Sequence, residues 1–192
     1  RKWRTALRLG LFQQSTPWDH LGRETIHSPK HVALTLHAAE QSMTLLKNSN
    51  NSHGVPTLPL REAQLQRSVT KIALIGPALD LHGGDMQGPY SGQANVSSVL
   101  DALLARFGSS FNTKFVINGG SPAGDSSNST VGVPAAVATV QQPDVDLVLL
   151  FVNDQFVSEG ADRTDTRLMW GQAQLIERIA EVGKPIGPSL AK

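Results

Sequence analysis

The chain has no cysteine, and that absence removes disulfides, thiolate metal sites and cysteine nucleophiles while leaving the redox compartment open. A charge excess of either sign is missing too, since 17 Lys and Arg stand against 16 Asp and Glu for a formal net charge of +1. So even a balance gives no electrostatic reason for a nucleic acid partner or an anionic membrane surface. No apolar run approaches the roughly 20 residues of a membrane-spanning helix, and no membrane partner is expected. Residues 1–9 lack the continuous apolar stretch and small-residue cleavage site of a secretory signal, and read as the end of something longer. The histidines show no H-E-x-x-H spacing, so neither a metal site nor a cofactor is expected.

What is present is enough apolar content over 192 residues for one good core, with at most an appendage beside it. Three acceptor sequons, Asn50-Asn51-Ser52, Asn95-Val96-Ser97 and Asn128-Ser129-Thr130, lie in polar stretches and lean toward a secreted, extracellular protein. The first thirty residues are broken by Pro17, Gly22 and Pro29 and show no sustained period, as a tail plus linker would. Ser28 and Pro29 then open a helical stretch predicted to run to about Lys47, with Val32, Leu36, Ala39, Met43 and Leu46 recurring every three or four positions.

From Lys71 onward short apolar runs alternate with amphipathic stretches. The runs Ile72–Ile75, Phe115–Ile117 and Leu147–Val152 are predicted strands. Val96, Val99, Leu100, Leu103, Leu104 and Phe107 form one helical stripe; a weaker, alanine-rich helix starts at Pro134; and Leu175, Ile176, Ile179 and Val182 form another stripe. This alternation predicts an α/β fold: a doubly wound, mostly parallel sheet with helices on both faces. A fourth strand is expected to begin at Lys184-Pro185-Ile186, but Gly187-Pro188-Ser189 interrupts it, so the domain reads as truncated at the C-terminus.

In an open parallel sheet ligands gather beyond the carboxyl ends of the strands, which directs attention to two loops. The loop after the first strand, Gly76 to Gly92, is glycine-rich and holds Asp80, His82, Asp85 and Tyr90. It has neither G-x-G-x-x-G nor G-K-[ST], so its glycines read as turn and positive-φ positions rather than a phosphate cradle. The loop after the third strand gathers Asp154, Glu159, Asp162, Arg163, Asp165 and Arg167. It fits a solvated surface loop with weak mutual salt bridges. It also fits an active-site loop that presents Glu159, between Ser158 and Gly160, as a general acid.

Ser158-Glu159-Gly160-Ala161-Asp162-Arg163, following the run from Asp146 to Val152, resembles the E-G-x-D-R segment of family-three glycoside hydrolases. Arg8-Leu9-Gly10-Leu11-Phe12 is similar to the R-x-G-x-F end of that family's catalytic barrel, and Pro17-Trp18-Asp19-His20-Leu21-Gly22 to the segment that follows it. Ala38-Ala39-Glu40-Gln41-Ser42 and Leu45-Leu46-Lys47-Asn48 resemble the A-A-x-x-x-x-V-L-L-K-N helix opening the second domain. Leu58-Pro59-Leu60, Ile72 to Pro77 and Gly183-Lys184-Pro185 fit in order. Within the family, His20-Leu21-Gly22 and Met86-Gln87-Gly88-Pro89-Tyr90-Ser91-Gly92 point to β-xylosidases more than β-glucosidases.

The resemblance implies a domain plan: residues 1–30 as the tail of a missing catalytic barrel plus linker, and residues 31–192 as an incomplete C-terminal α/β sandwich domain. It implies a retaining exo-glycosidase acting on β-1,4-xylosidic or β-glucosidic bonds at non-reducing ends, with a xylo-oligosaccharide or other β-glycoside as substrate. The nucleophilic aspartate would lie in the missing N-terminal barrel. Glu159 would be the acid/base carboxylate, with Asp162 and Arg163 supporting its loop, and the isolated fragment would be inactive. The chain departs from the family where Leu168-Met169-Trp170 replaces the usual L-P and where Gly187-Pro188-Ser189 replaces an apolar strand. A reading of another class is a non-catalytic carbohydrate-binding or regulatory α/β module.

Overall fold

The structure, a computed structural model, describes residues 2–50, 54, 56–63, 65, 69, 71–82, 96–111, 115–118, 132–154, 166–168 and 171–187. The chain divides into two compact units, Arg1–Lys47 and Asn48–Lys192. The sequence-based domain plan draws its boundary earlier, between residues 30 and 31.

The first unit holds α1 (Lys2–Arg8) and α2 (Pro29–Ser42). Ser28 caps α2, its hydroxyl oxygen accepting the His31 N–H at 3.4 Å, and Pro29 occupies the first turn, where its missing N–H costs nothing. The helix stops at Ser42 rather than continuing to Lys47: Met43 is extended, at φ −75° and ψ 129°. Met43 and Leu46 keep the apolar period but are exposed, and a stripe that buries nothing gives a helix little reason to propagate. No residue of α1 or α2 is buried.

In the second unit the side-chain amide of Asn48 serves both backbone groups of Leu58. Its Oδ1 accepts the Leu58 N–H and its Nδ2 donates to the Leu58 carbonyl, both at 3.0 Å. A parallel sheet follows, built from β1 (Lys71–Ile75), β2 (Phe115–Asn118), β3 (Val145–Leu150) and the two-residue β4 (Ile186–Gly187) in the order β2-β1-β3-β4. The fourth strand foreseen at Lys184-Pro185-Ile186 is therefore present as a short one paired with β3, Ile186 beside Val148 and Gly187 beside Leu149.

The continuous apolar runs of β1 and β3 suit strands covered on both sides, because successive side chains point to opposite faces. Ala73, Ile75, Val148, Leu150 and Val152 pack with Val133, Ala136 and Val140 of α4 (Val133–Val140) and Leu175 and Ile179 of α5 (Gln172–Glu181). Ile72, Leu74, Leu147, Leu149 and Phe151 form a separate cluster, against which Val99, Leu100, Leu103 and Phe107 of α3 (Val99–Phe111) are packed. Full burial of each such side chain stabilises by about 1.5–3 kcal/mol, so these two clusters dominate the unit's stability. Strand directions now matter: β1 and β3 are adjacent and parallel, Ile75 beside Leu150, so the segments leaving them start at the same sheet edge.

Candidate active site

At that edge the exit from β1 is shaped by close backbone contact. Phe151 N–H donates to the Ile75 carbonyl at 2.8 Å, and the Phe151 carbonyl accepts the Ala78 N–H at 3.3 Å. Gly76 adopts φ +115°, and a β-carbon on it would stand 2.0 Å from the Phe151 carbonyl oxygen. Gly76 is thus a packing requirement of the sheet edge.

Beyond it, His82 sits between two carboxylates, its Nε2 3.0 Å from Asp80 Oδ1 and its Nδ1 3.7 Å from Asp101 Oδ2, all three side chains about half exposed. Asp101 also closes the start of α3: its Oδ2 accepts the Ser98 N–H at 3.1 Å while Ser98 Oγ accepts the Asp101 N–H at 3.0 Å. Hydrogen bonding from Ser98, first its backbone N–H and then its side chain, holds the Asp101 carboxyl below the usual aspartate value, and the His82 ring adds a smaller pull. The reciprocal bonds with Ser98 give Asp101 its place in the helix cap.

The exit from β3 is held differently. Gln172, the first residue of α5, is buried and uses both ends of its amide on one residue, Oε1 accepting the Asn153 N–H at 2.9 Å and Nε2 donating to the Asn153 carbonyl at 2.8 Å. Gly171 precedes it in the left-handed region at φ 71°, which turns the chain into the helix without strain. Asn153 is itself buried, and its Oδ1 finds no hydrogen-bond partner among the described residues. Of the ionisable residues gathered in this loop, Asp154 is partly buried and Arg167 exposed. Glu159, the candidate acid/base, lies outside the described residues, as do Asp162, Arg163, Asp165, Asp85 and Tyr90.

Sequence reasoning overlooked Gln172. The signal was available: it stands three, four and seven positions before Leu175, Ile176 and Ile179, on the face of the stripe that must be buried, where an amide needs a partner. Among the described residues no group of three or more His, Asp or Glu side chains is placed to hold a metal ion. His27 and His31 stand four apart, but His27 precedes α2 with φ 62° and His31 Nδ1 lies 2.8 Å from the Thr25 carbonyl oxygen. Among the same residues no helix is long and apolar enough to cross a membrane.

Residues 43–187 match the Glycosyl hydrolase family 3 C-terminal domain. The chain is 29% identical over 188 residues to a probable exo-1,4-beta-xylosidase of Neosartorya fischeri, a match covering 97% of the chain and 22% of that protein. It is 28% identical over 179 residues to beta-D-xylosidase 1 of Arabidopsis thaliana, covering 93% of the chain and 21% of that protein. Among solved structures, the beta-glucosidase of Listeria innocua in complex with glucose shares the fold at a TM-score of 0.66 and 24% identity, over 95% of this chain and 23% of that one. The beta-glucosidase of Bifidobacterium adolescentis does so at 0.60 and 24%, over 90% and 22%. The chain therefore spans between a fifth and a quarter of the length of these proteins.

Proposed function

The chain belongs to glycosyl hydrolase family 3, and on that premise we propose that it is the acid/base-bearing part of a retaining exo-glycosidase that cleaves β-1,4-xylosidic or β-glucosidic bonds. The observation that supports the reading is the place of Asn153 and Asp154, the last described residues before the segment that holds Glu159. They follow the carboxyl end of a central parallel strand, beside the exit from β1, where open α/β sheets assemble their sites. Glu159 protonates the leaving oxygen and then activates water, facing a nucleophilic carboxylate about 5–5.5 Å away across the scissile bond. That nucleophile belongs to an N-terminal barrel domain outside this chain, a partner supported by the small share of its relatives' length that the chain covers. Trp3, Leu7, Leu11, Phe12 and Trp18, all well exposed in the first unit, suit a surface that such a domain covers.

The same reading completes the fold as a doubly wound domain, with residues 1–30 as barrel tail and linker and residues 31–192 as the incomplete α/β domain. Xylosides are favoured over glucosides by His20-Leu21-Gly22 and by the two xylosidase relatives. The three sequons support a secreted, xylan-degrading enzyme; Asn50, the acceptor that is described, is exposed.

The test is hydrolysis of aryl β-xylosides by the complete protein and its Glu159→Gln variant. Loss of the proton donor lowers kcat/KM, which reports the bond-cleaving step, by about 10²–10⁴-fold for poor leaving groups and far less for activated ones, which depart without protonation, whereas kcat falls for both because the same carboxylate activates the water. Equal losses of kcat/KM for both leaving-group classes, or none, would remove Glu159 from the role. Sugar binding without turnover in the complete protein would favour the binding-module reading.

A further inference from the structure

We propose that His82 is a proton-operated latch between the exit from β1 and the start of α3. Its protonated ring places a positive charge between Asp80 and Asp101 and draws the two elements together; its neutral ring lets them part more readily. The latch depends neither on the glycosidase reading nor on Glu159.

Asp80 and His82 belong to the segment that leaves β1, and Asp101 to the first turn of α3. The two elements are already joined once, because the Leu100 N–H donates to the carbonyl of the fully buried Leu79 at 2.9 Å. Asp101 is the next residue after Leu100, and His82 reaches it from the segment that follows Leu79. Among the described residues, Asp80 and Asp101 are the charged groups at ion-pair distance from the ring.

An ionised carboxylate can only accept, so the 3.0 Å approach of Asp80 Oδ1 to Nε2 calls for the ring proton at that nitrogen. In the neutral ring Nδ1 then turns a lone pair toward Asp101 Oδ2, 3.7 Å away, and two electron-rich atoms oppose each other. A second proton, on Nδ1, replaces that opposition with an attraction. Asp101 Oδ2 retains its bond from the Ser98 N–H while it faces the cation, because a carboxylate oxygen has more than one lone pair to offer. Protonation thus reverses the sign of the contact between the two elements.

The parts on either side of the ring are fixed. Asp101 is held by its reciprocal bonds with Ser98, which is buried. The segment leaving β1 is held by Ala78 N–H on the Phe151 carbonyl and Leu79 N–H on the Gly76 carbonyl, both at 3.3 Å. Histidine is the side chain whose ordinary change of charge falls between about pH 5 and 8, so the ring is the member of this cluster that physiological pH switches. All three side chains are about half exposed, which keeps the attraction modest and open to screening by salt.

The experiment follows amide hydrogen exchange at Leu100 by NMR in the full chain between about pH 8 and 5.5, corrected for the intrinsic exchange rate. The Phe151 N–H, bonded to the Ile75 carbonyl, is the internal reference. Protection at Leu100 relative to Phe151 is expected to rise about two- to fivefold toward acid, the range of partly exposed ion pairs. An effect of that size shows in local exchange and scarcely moves a global unfolding midpoint. His82→Gln, which takes up no proton, should show no rise. Asp101→Asn keeps a side-chain oxygen for the Ser98 N–H but loses the charge, and should abolish the rise as well. The proposal is overturned if relative protection at Leu100 does not change with pH in the wild-type chain, or if the rise persists in either variant. Should Asp101→Asn fail to fold, His82→Gln, a change at an exposed position, still decides.

Discussion

Gly76 and Phe151 meet at the sheet edge with no room for a side chain: a β-carbon on Gly76 would lie 2.0 Å from the Phe151 carbonyl oxygen and 2.9 Å from its carbonyl carbon. The same carbonyl accepts the Ala78 N–H, so it cannot swing away without breaking the turn that leads out of β1.

Gly76→Ala therefore adds a steric conflict to an unfavourable φ, and is expected to lower stability by about 3 kcal/mol or to prevent folding. Gly183 is the control. It has φ +75° but open space around the added carbon, so Gly183→Ala is expected to cost about 1 kcal/mol from backbone strain alone. Urea denaturation midpoints of the two variants measure the difference; equal losses would mean that the Phe151 backbone yields.

Lys184 donates from Nζ to the Gln142 carbonyl at 2.6 Å and the Val145 carbonyl at 2.5 Å, joining the approach to β4 to the approach to β3. Lys184→Met keeps the aliphatic stem and removes both charge-assisted bonds, for an expected loss of about 2 kcal/mol. The local reporter is the Val148 N–H, which donates to the Pro185 carbonyl at 2.9 Å. Its hydrogen exchange should accelerate more than that of Phe151, whose bond goes to β1.

In the second unit stability should fall in acid through Asp101 and Asp144. The Lys71 ammonium, hydrogen-bonded to Asp144 at 2.5 Å, and the Ser98 groups around Asp101 lower those carboxyls from the ordinary value of 3.8. A carboxyl depressed in the folded state contributes stability that is fully present above its unfolded value and is lost as pH falls through the folded one. The urea midpoint should thus hold level from neutral pH to about 5 and decline below about 4. Asp144→Asn should weaken that decline, and added salt should shrink the contribution of the partly exposed Lys71–Asp144 pair. An unchanged acid limb in Asp144→Asn would show that the ion pair contributes nothing.

The 192-residue chain by itself is expected to release no aryl alcohol from β-xylosides above its Glu159→Ala control. A retaining reaction needs an attacking carboxylate opposite the protonating one, and removing a nucleophile costs several orders of magnitude. Turnover above the control would identify a second working carboxylate in this chain. Asp80 and Asp154, which stand at the same sheet edge, would be the first substitutions to make.

The strands were legible because a parallel strand covered on both faces must be apolar at every position, and Ile72–Ile75 and Leu147–Val152 are such runs. The stripes of α3 and α5 were legible for the equivalent reason at a period of about 3.6 residues. Where a pattern existed without burial it misled: Met43 and Leu46 continue the phase of α2, yet the helix ends at Ser42. Glu159 was singled out by its neighbours in the E-G-x-D-R segment, since nothing in its spacing separates a catalytic carboxylate from a solvated one.

By itself the sequence determined which segments become strands and helices, which faces they bury, and which family the chain resembles, because these follow from local periodicity and contiguous motifs. Only the tertiary structure decided the strand order β2-β1-β3-β4, the short pairing of β4, the contact that makes Gly76 obligatory and the clamp of Gln172 on Asn153. These depend on backbone groups brought together from distant parts of the chain. A backbone N–H or carbonyl is the same at every position, so no residue type announces which partner it will meet.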